Sequence, residues 1–178
     1  ALKNDDVQKM KGLRQLSTLL IFIFFSLFCS FETYATHAVG IDLSYTCLGN
    51  NQYEITLNFY RDCSGVSAPS SPTIDVSGCG TFNPFGVNLN FVSQTEVPAI
   101  CPQQQNQTSC NGGSLPGVEQ YVYTGVITVP PNCPNFTVSY ELCCRNNAIT
   151  NLQSPGSQSL YAEATINTTN NFCNNSPV

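Results

Sequence analysis

After residue 35, apolar and polar residues alternate in short runs broken by Gly, Pro and Asn, with no convincing helical stretch. Strict alternation is the mark of a strand with one buried face. Gln52 to Asp62 (QYEITLNFYRD) puts Tyr53, Ile55, Leu57 and Phe59 on one face and Glu54, Thr56, Asn58 and Tyr60 on the other. Val39 to Cys47 precedes it through Leu48-Gly49-Asn50-Asn51. Gly and paired Asn accept positive φ readily, so this junction is predicted to be a hairpin turn.

Further strands are predicted at Thr73 to Ser77, Val87 to Ser93, Gln120 to Val129, Phe136 to Arg145 and Leu160 to Asn167. In the Phe136 strand, Phe136, Val138, Tyr140 and Leu142 face inward, and Thr137, Ser139 and Glu141 outward. Pro130-Pro131 ends the strand before it, because proline cannot donate to a sheet ladder. Ser64 to Pro72 and Pro98 to Gly117 read as decorated loops. About seven short strands separated by turns predict an all-β sandwich of two antiparallel sheets, with a closed barrel as the alternative.

An export leader changes which residues count. Met10, the one methionine, is followed by Lys11 and Arg14, then the apolar run Leu19 to Phe28, then Thr33-Tyr34-Ala35. That is a signal peptide over residues 10–35, its apolar run too short to span a bilayer, with cleavage after Ala35 and Ala38 as a weaker choice. Residues 1–9 read as sequence upstream of the true start, 36–172 as the domain, and 173–178 as the beginning of a link to a further domain. Bulky Phe28 before Cys29 argues against lipid attachment.

Beyond the leader only Arg61 and Arg145 remain as cations, against eight acids, a formal charge of minus six. Nucleic acids and anionic membranes are recognised by cationic patches, so neither is an expected partner, and no membrane insertion is expected once the leader is removed. About 143 residues suffice for a single core.

Nine cysteines follow Ala35: Cys47, Cys63, Cys79, Cys101, Cys110, Cys133, Cys143, Cys144 and Cys173. No C-x-x-C pair is present and His37 is the sole histidine, so neither a zinc site nor a thioredoxin-like motif is expected. Disulfides are the default in an exported chain. Cys101 and Cys110 bracket a polar loop and are expected to pair; Cys63 with Cys79 is the second choice. Neighbours on a strand point to opposite faces, so Cys143 and Cys144 are not expected to bond each other. Parity puts Cys144 with the apolar set, where Cys47 is a candidate partner; Cys143 then faces outward, within reach of Cys133 if the chain folds back. Cys173 is left as the odd one, expected to bond beyond Val178.

Each remaining cation sits beside a cysteine, in Tyr60-Arg61-Asp62-Cys63 and Cys143-Cys144-Arg145-Asn146. The favoured reading is structural: a guanidinium holding loop carbonyls or an acid such as Asp62 or Glu141. Recognition of a carboxylate or sugar is the alternative. Catalytic patterns are missing: there is no HExxH, G-x-S-x-G, P-loop or EF-hand loop. Outward Glu54 and Glu141 are read as solvated surface rather than a glycosidase pair. Tyr60 with Tyr121 or Tyr123 offers a stacking platform for sugar, although cross-strand packing is the commoner use. Asn135 and Asn167 begin N-glycosylation patterns.

Three segments together carry a resemblance: Thr36 to Cys63 (THAVGIDLSYTCLGNNQYEITLNFYRDC), Tyr140 to Leu152 (YELCCRNNAITNL) and Asn174 to Val178 (NNSPV). They resemble the N-terminal module of very large secreted and cell-surface proteins of Bacteroidota, which often carry immunoglobulin-like or PKD-like repeats and a gliding-motility-associated C-terminal sorting domain. The resemblance implies a disulfide-stapled, immunoglobulin-like β-sandwich, exported by a Sec-type leader and then outward by type IX secretion. It brings no catalytic residue to carry over, and no cofactor or metal is expected from the sequence. This chain has His37-Ala38-Val39-Gly40-Ile41-Asp42 where the family reads more like HIVGGE, and it contains no sorting domain.

Two functions follow as expectations. The first is a non-catalytic structural or adhesive module of a large surface protein, linked to gliding or adhesion, with the downstream domains of the same parent chain as partners. The second is a glycan-binding module using Tyr60, Tyr123 and the Asn/Gln-rich loops. A hydrolase is kept as a third and lower reading.

Overall fold

The alternation resolves into eight strands in a computed structural model that describes residues 38–78, 82–98, 100–130, 133–146, 149–169 and 173–177. The predicted leader, His37 and Cys79 lie outside the described residues. The strands are β1 (Ala38–Gly49), β2 (Gln52–Asp62), β3 (Thr73–Gly78), β4 (Phe82–Asn88), β5 (Asn90–Val97), β6 (Val118–Thr128), β7 (Asn135–Leu142) and β8 (Leu160–Asn167). They form two four-stranded sheets, β1-β2-β6-β5 and β4-β3-β7-β8, with every named pair antiparallel. The protein is an all-β sandwich.

The predicted faces hold. Tyr53, Ile55, Leu57 and Phe59 of β2 are buried, as are Phe136, Val138 and Tyr140 of β7. Ile74, Val76 and Ile166 complete the facing sheet, and the Tyr53 and Phe136 rings meet edge-on at 5.4 Å. The β1–β2 turn has left-handed φ at Gly49, Asn50 and Asn51 (87°, 50° and 59°), the conformation that Gly and Asn tolerate best.

Two expectations need correction. The predicted strand Val87 to Ser93 is two strands, because the chain leaves one sheet for the other at Leu89. Leu89 is fully buried, its N–H donates to Pro72 O (2.8 Å), and Ser71 Oγ donates to its carbonyl (2.8 Å). Gly125 makes room for it: a Cβ there would lie 2.6 Å from Leu89 Cδ2. The predicted strand to Arg145 ends at Leu142, because Cys144 turns to a φ of 85°.

Sheet edges are managed differently on the two sides. β4 carries Pro84, which cannot extend a ladder, and β5 has a bulge between Phe91 and Ser93. On β1, the tail runs back along the edge: Ser176 N–H donates to Tyr45 O (2.9 Å), Tyr45 N–H to Ser176 Oγ (2.9 Å) and Cys47 N–H to Asn175 Oδ1 (2.8 Å).

Candidate functional site

The inward faces of β2 and β6 change character at one end of the sandwich. Phe59 stands opposite Tyr121, and two residues on Arg61 stands opposite Glu119, which in turn faces Glu96 of β5. Period-two geometry keeps all of these on the core side of the sheet, so an apolar face ends in a row of charge. Arg61 Nε lies 3.1 Å from Glu119 Oε2, and both side chains are mostly buried at 12% and 15% exposure. Its other nitrogens donate to Val66 O and Cys63 O, both at 3.0 Å. Glu119 also accepts from Gln94 Nε2 (2.8 Å) and Tyr121 OH (3.1 Å). Glu96 accepts from the buried hydroxyl of Thr108 (2.7 Å) and from Asn111 Nδ2 (2.9 Å).

Arg145 belongs to the same end. Ala38, itself buried, is paired with Arg61 in the ladder and bridged to Arg145 on its other side. Arg145 Nε donates to Ser159 O at 2.9 Å. Both arginines therefore hold loop carbonyls, and Arg61 also holds a carboxylate, but its partner is Glu119 rather than Asp62 or Glu141. Glu119, Glu96 and Thr108 were not singled out from the sequence; parity continued from Tyr123 and Tyr121 to Glu119 is the signal that finds them.

The cysteine pairings differ from expectation throughout. Cys63 bonds Cys110, not Cys79, and Cys110 therefore does not bond Cys101. The Cys101–Cys110 loop needs no bond of its own, because a 3-10 run over Pro102–Gln107 orders it, while Cys63 N–H to Gly117 O (3.0 Å) draws its far side to the end of β2. Cys47 bonds Cys173, not Cys144. Parity gives the face of a strand but not the height along it: Cys47 lies near the β1–β2 turn, and Cys144 adjoins Arg145 beside Ala38, about 30 Å away at ~3.4 Å per residue. Cys143 bonds Cys144, which the change of φ at Cys144 permits once the strand has ended. Cys133 is also disulfide-bonded, but not to Cys143, whose partner is Cys144. Cys173 is not the odd cysteine. The free one among the described residues is Cys101, which is exposed.

These bonds indicate an oxidising, extracellular environment. Among the described residues, no helix is long and apolar enough to cross a membrane. Cys63, Cys110 and Glu119 place three donor atoms within 4.8 Å of one another, but a disulfide offers no thiolate and Arg61 already neutralises the carboxylate.

The two tyrosines proposed as ligand contacts point in opposite directions. Tyr123 pairs with Leu57 and lies in the core at 1% exposure, its OH donating to Pro69 O at 2.6 Å. Burial, helped by the neighbouring Tyr121 and Tyr140 hydroxyls, pushes its pKa up to about 12. It is therefore not a surface contact. Phe91 packs beside it and Tyr121 at ring distances of 6.0 and 6.2 Å. Tyr60 faces outward in a polar row: Gln120 Nε2 donates to Tyr60 OH (3.3 Å) and Asn58 Oδ1 (3.1 Å), and Asn58 Nδ2 to Asp42 Oδ2 (3.3 Å). Glu54 and Glu141 lie on the outer faces of different sheets and cannot flank one glycosidic bond.

No family model, curated protein or solved structure matches this chain. What the site does must come from its geometry. That geometry joins loops to strand ends: a disulfide, an ion pair and two arginine–carbonyl clamps converge where the sheets run out.

Proposed function

We propose that this domain is a non-catalytic structural or adhesive module of a large exported surface protein, built to pass tension along its edge rather than through its core. The observation that carries the reading is Cys47–Cys173, which joins β1 to the tail across a sequence separation of 126. Tension applied at Ala38 and Pro177 enters β1, crosses the disulfide and leaves by the tail. Every strand from β2 to β8 lies inside the closed loop and is shielded. The use of both cations as internal clamps supports the same reading. So does the resemblance to Bacteroidota surface modules, which favours Sec and type IX export, downstream domains in a parent chain, and a part in gliding or adhesion.

Single-molecule pulling from these two positions tests the proposal. The oxidised domain should lengthen only by the segments outside the bond, about 15 residues or ~50 Å at ~3.4 Å per residue. The reduced domain should release nearly the whole fold, about 140 residues or ~480 Å. Full extension of the oxidised domain would remove the mechanical reading.

A second reading rests on the Asp42–Asn58–Gln120–Tyr60 row: a glycan held on the outer face of β1, β2 and β6, where amide and hydroxyl groups are arrayed for sugar hydroxyls. A glycan array with Tyr60→Ala and Gln120→Ala decides it; binding unchanged in both variants dismisses the face.

A further inference from the structure

We propose that the adjacent pair Cys143–Cys144 is a redox switch that docks the 149–159 loop at the arginine end when oxidised and frees it when reduced. The pair stands where β7 has ended, with Cys143 exposed. Cys144 has a φ of 85°, a left-handed conformation that residues other than Gly rarely hold. In that conformation the N–H groups of Cys144 and Arg145 both donate to Gln158 O, at 3.2 and 3.0 Å. Arg145 then bridges to Ala38 of β1 and clamps Ser159 O. One small covalent ring thus fixes the turn, the turn presents two donors to the loop, and the loop is held beside the first strand.

Opening the ring removes the covalent reason for the left-handed turn. Cys144 can then relax to an ordinary conformation, and its N–H and that of Arg145 leave Gln158. The chemistry is exchange with a dithiol reductant. One of its thiolates attacks the exposed Cys143 sulfur, and Cys144 leaves as a thiolate and takes a proton. The reductant's second thiolate then closes its own disulfide and expels Cys143, so two electrons pass and two thiols remain. Because the bonded residues are adjacent, the reaction frees no long stretch of chain, and the sandwich stays folded on its other bonds. The switch is local by construction.

Graded reduction of the full chain with dithiothreitol, followed by alkylation and mass mapping, is the test, with amide exchange as the readout of docking. Cys143 and Cys144 should be alkylated as a pair while Cys47–Cys173 and Cys63–Cys110 stay closed, and exchange at Cys144 and Arg145 should quicken about tenfold or more. The variant C143S/C144S should reproduce that gain without reductant. C143S/C144G should recover most of the protection, because Gly holds positive φ without a ring. Opening of the pair only on global unfolding would overturn the switch. So would wild-type exchange in C143S/C144S, or a Gly variant as fast as the Ser variant.

Discussion

The two ends of the sandwich are stapled by the same chemistry to different purpose. At the turn end, Cys47–Cys173 spans most of the domain and ties the tail to the free edge of β1. At the arginine end, Cys63–Cys110 and Cys143–Cys144 close shorter stretches, and noncovalent clamps from Arg61 and Arg145 hold the remaining loops. A bond's contribution through the unfolded chain grows with the loop it closes. The turn end should therefore dominate global stability, while the arginine end sets which loops are ordered.

Breaking that contrast gives graded outcomes. Cys173→Ala should cost the most, about 4–5 kcal/mol for a loop longer than 100 residues, read as the shift in unfolding free energy by denaturant titration. Arg61→Met should cost ~3 kcal/mol, since it strands the mostly buried Glu119 carboxylate; Arg61→Met with Glu119→Gln should recover part of that loss if the stranded charge is its cause.

Tyr123→Phe should cost about 1 kcal/mol from the lost bond to Pro69 O, and it should change the alkaline limit of the fold. With Tyr123 raised to about 12 in the folded protein, against about 10 unfolded, the native state keeps a proton that the unfolded chain gives up. Its stabilising contribution is whole below pH ~10 and fades as pH rises toward 12. Stability measured across that window should fall less steeply in Tyr123→Phe. Cys101→Ser should be neutral within ~0.5 kcal/mol, as expected of an exposed unbonded position; a larger loss would mean that Cys101 is bonded.

Much of the fold was legible in the sequence because burial repeats every second residue. Tyr53 to Phe59 and Phe136 to Tyr140 announce their faces without reference to anything distant. Leu89 does not, since a residue crossing between sheets looks like the middle of one strand. Arg61 reads from its cysteine neighbour as a structural clamp, but its partner Glu119 lies just before the predicted strand from Gln120, because nothing local shows that one sheet's inner face outlasts the core. The cysteine pairs were the least legible part. Alternation gives a side chain's face, whereas pairing depends on height along the strand and on where a loop or tail returns. The tail's return to Tyr45 is set by Asn175 and Ser176, which carry no periodic signal.

One bond joins the first strand to the tail and closes the domain around its core. Non-reducing peptide mapping of the oxidised protein checks this bond. A linked peptide pair containing Cys47 and Cys173 is expected, with Cys101 recovered as a free thiol. Recovery of Cys47 linked to Cys144, or of Cys173 unbonded within the domain, would contradict it.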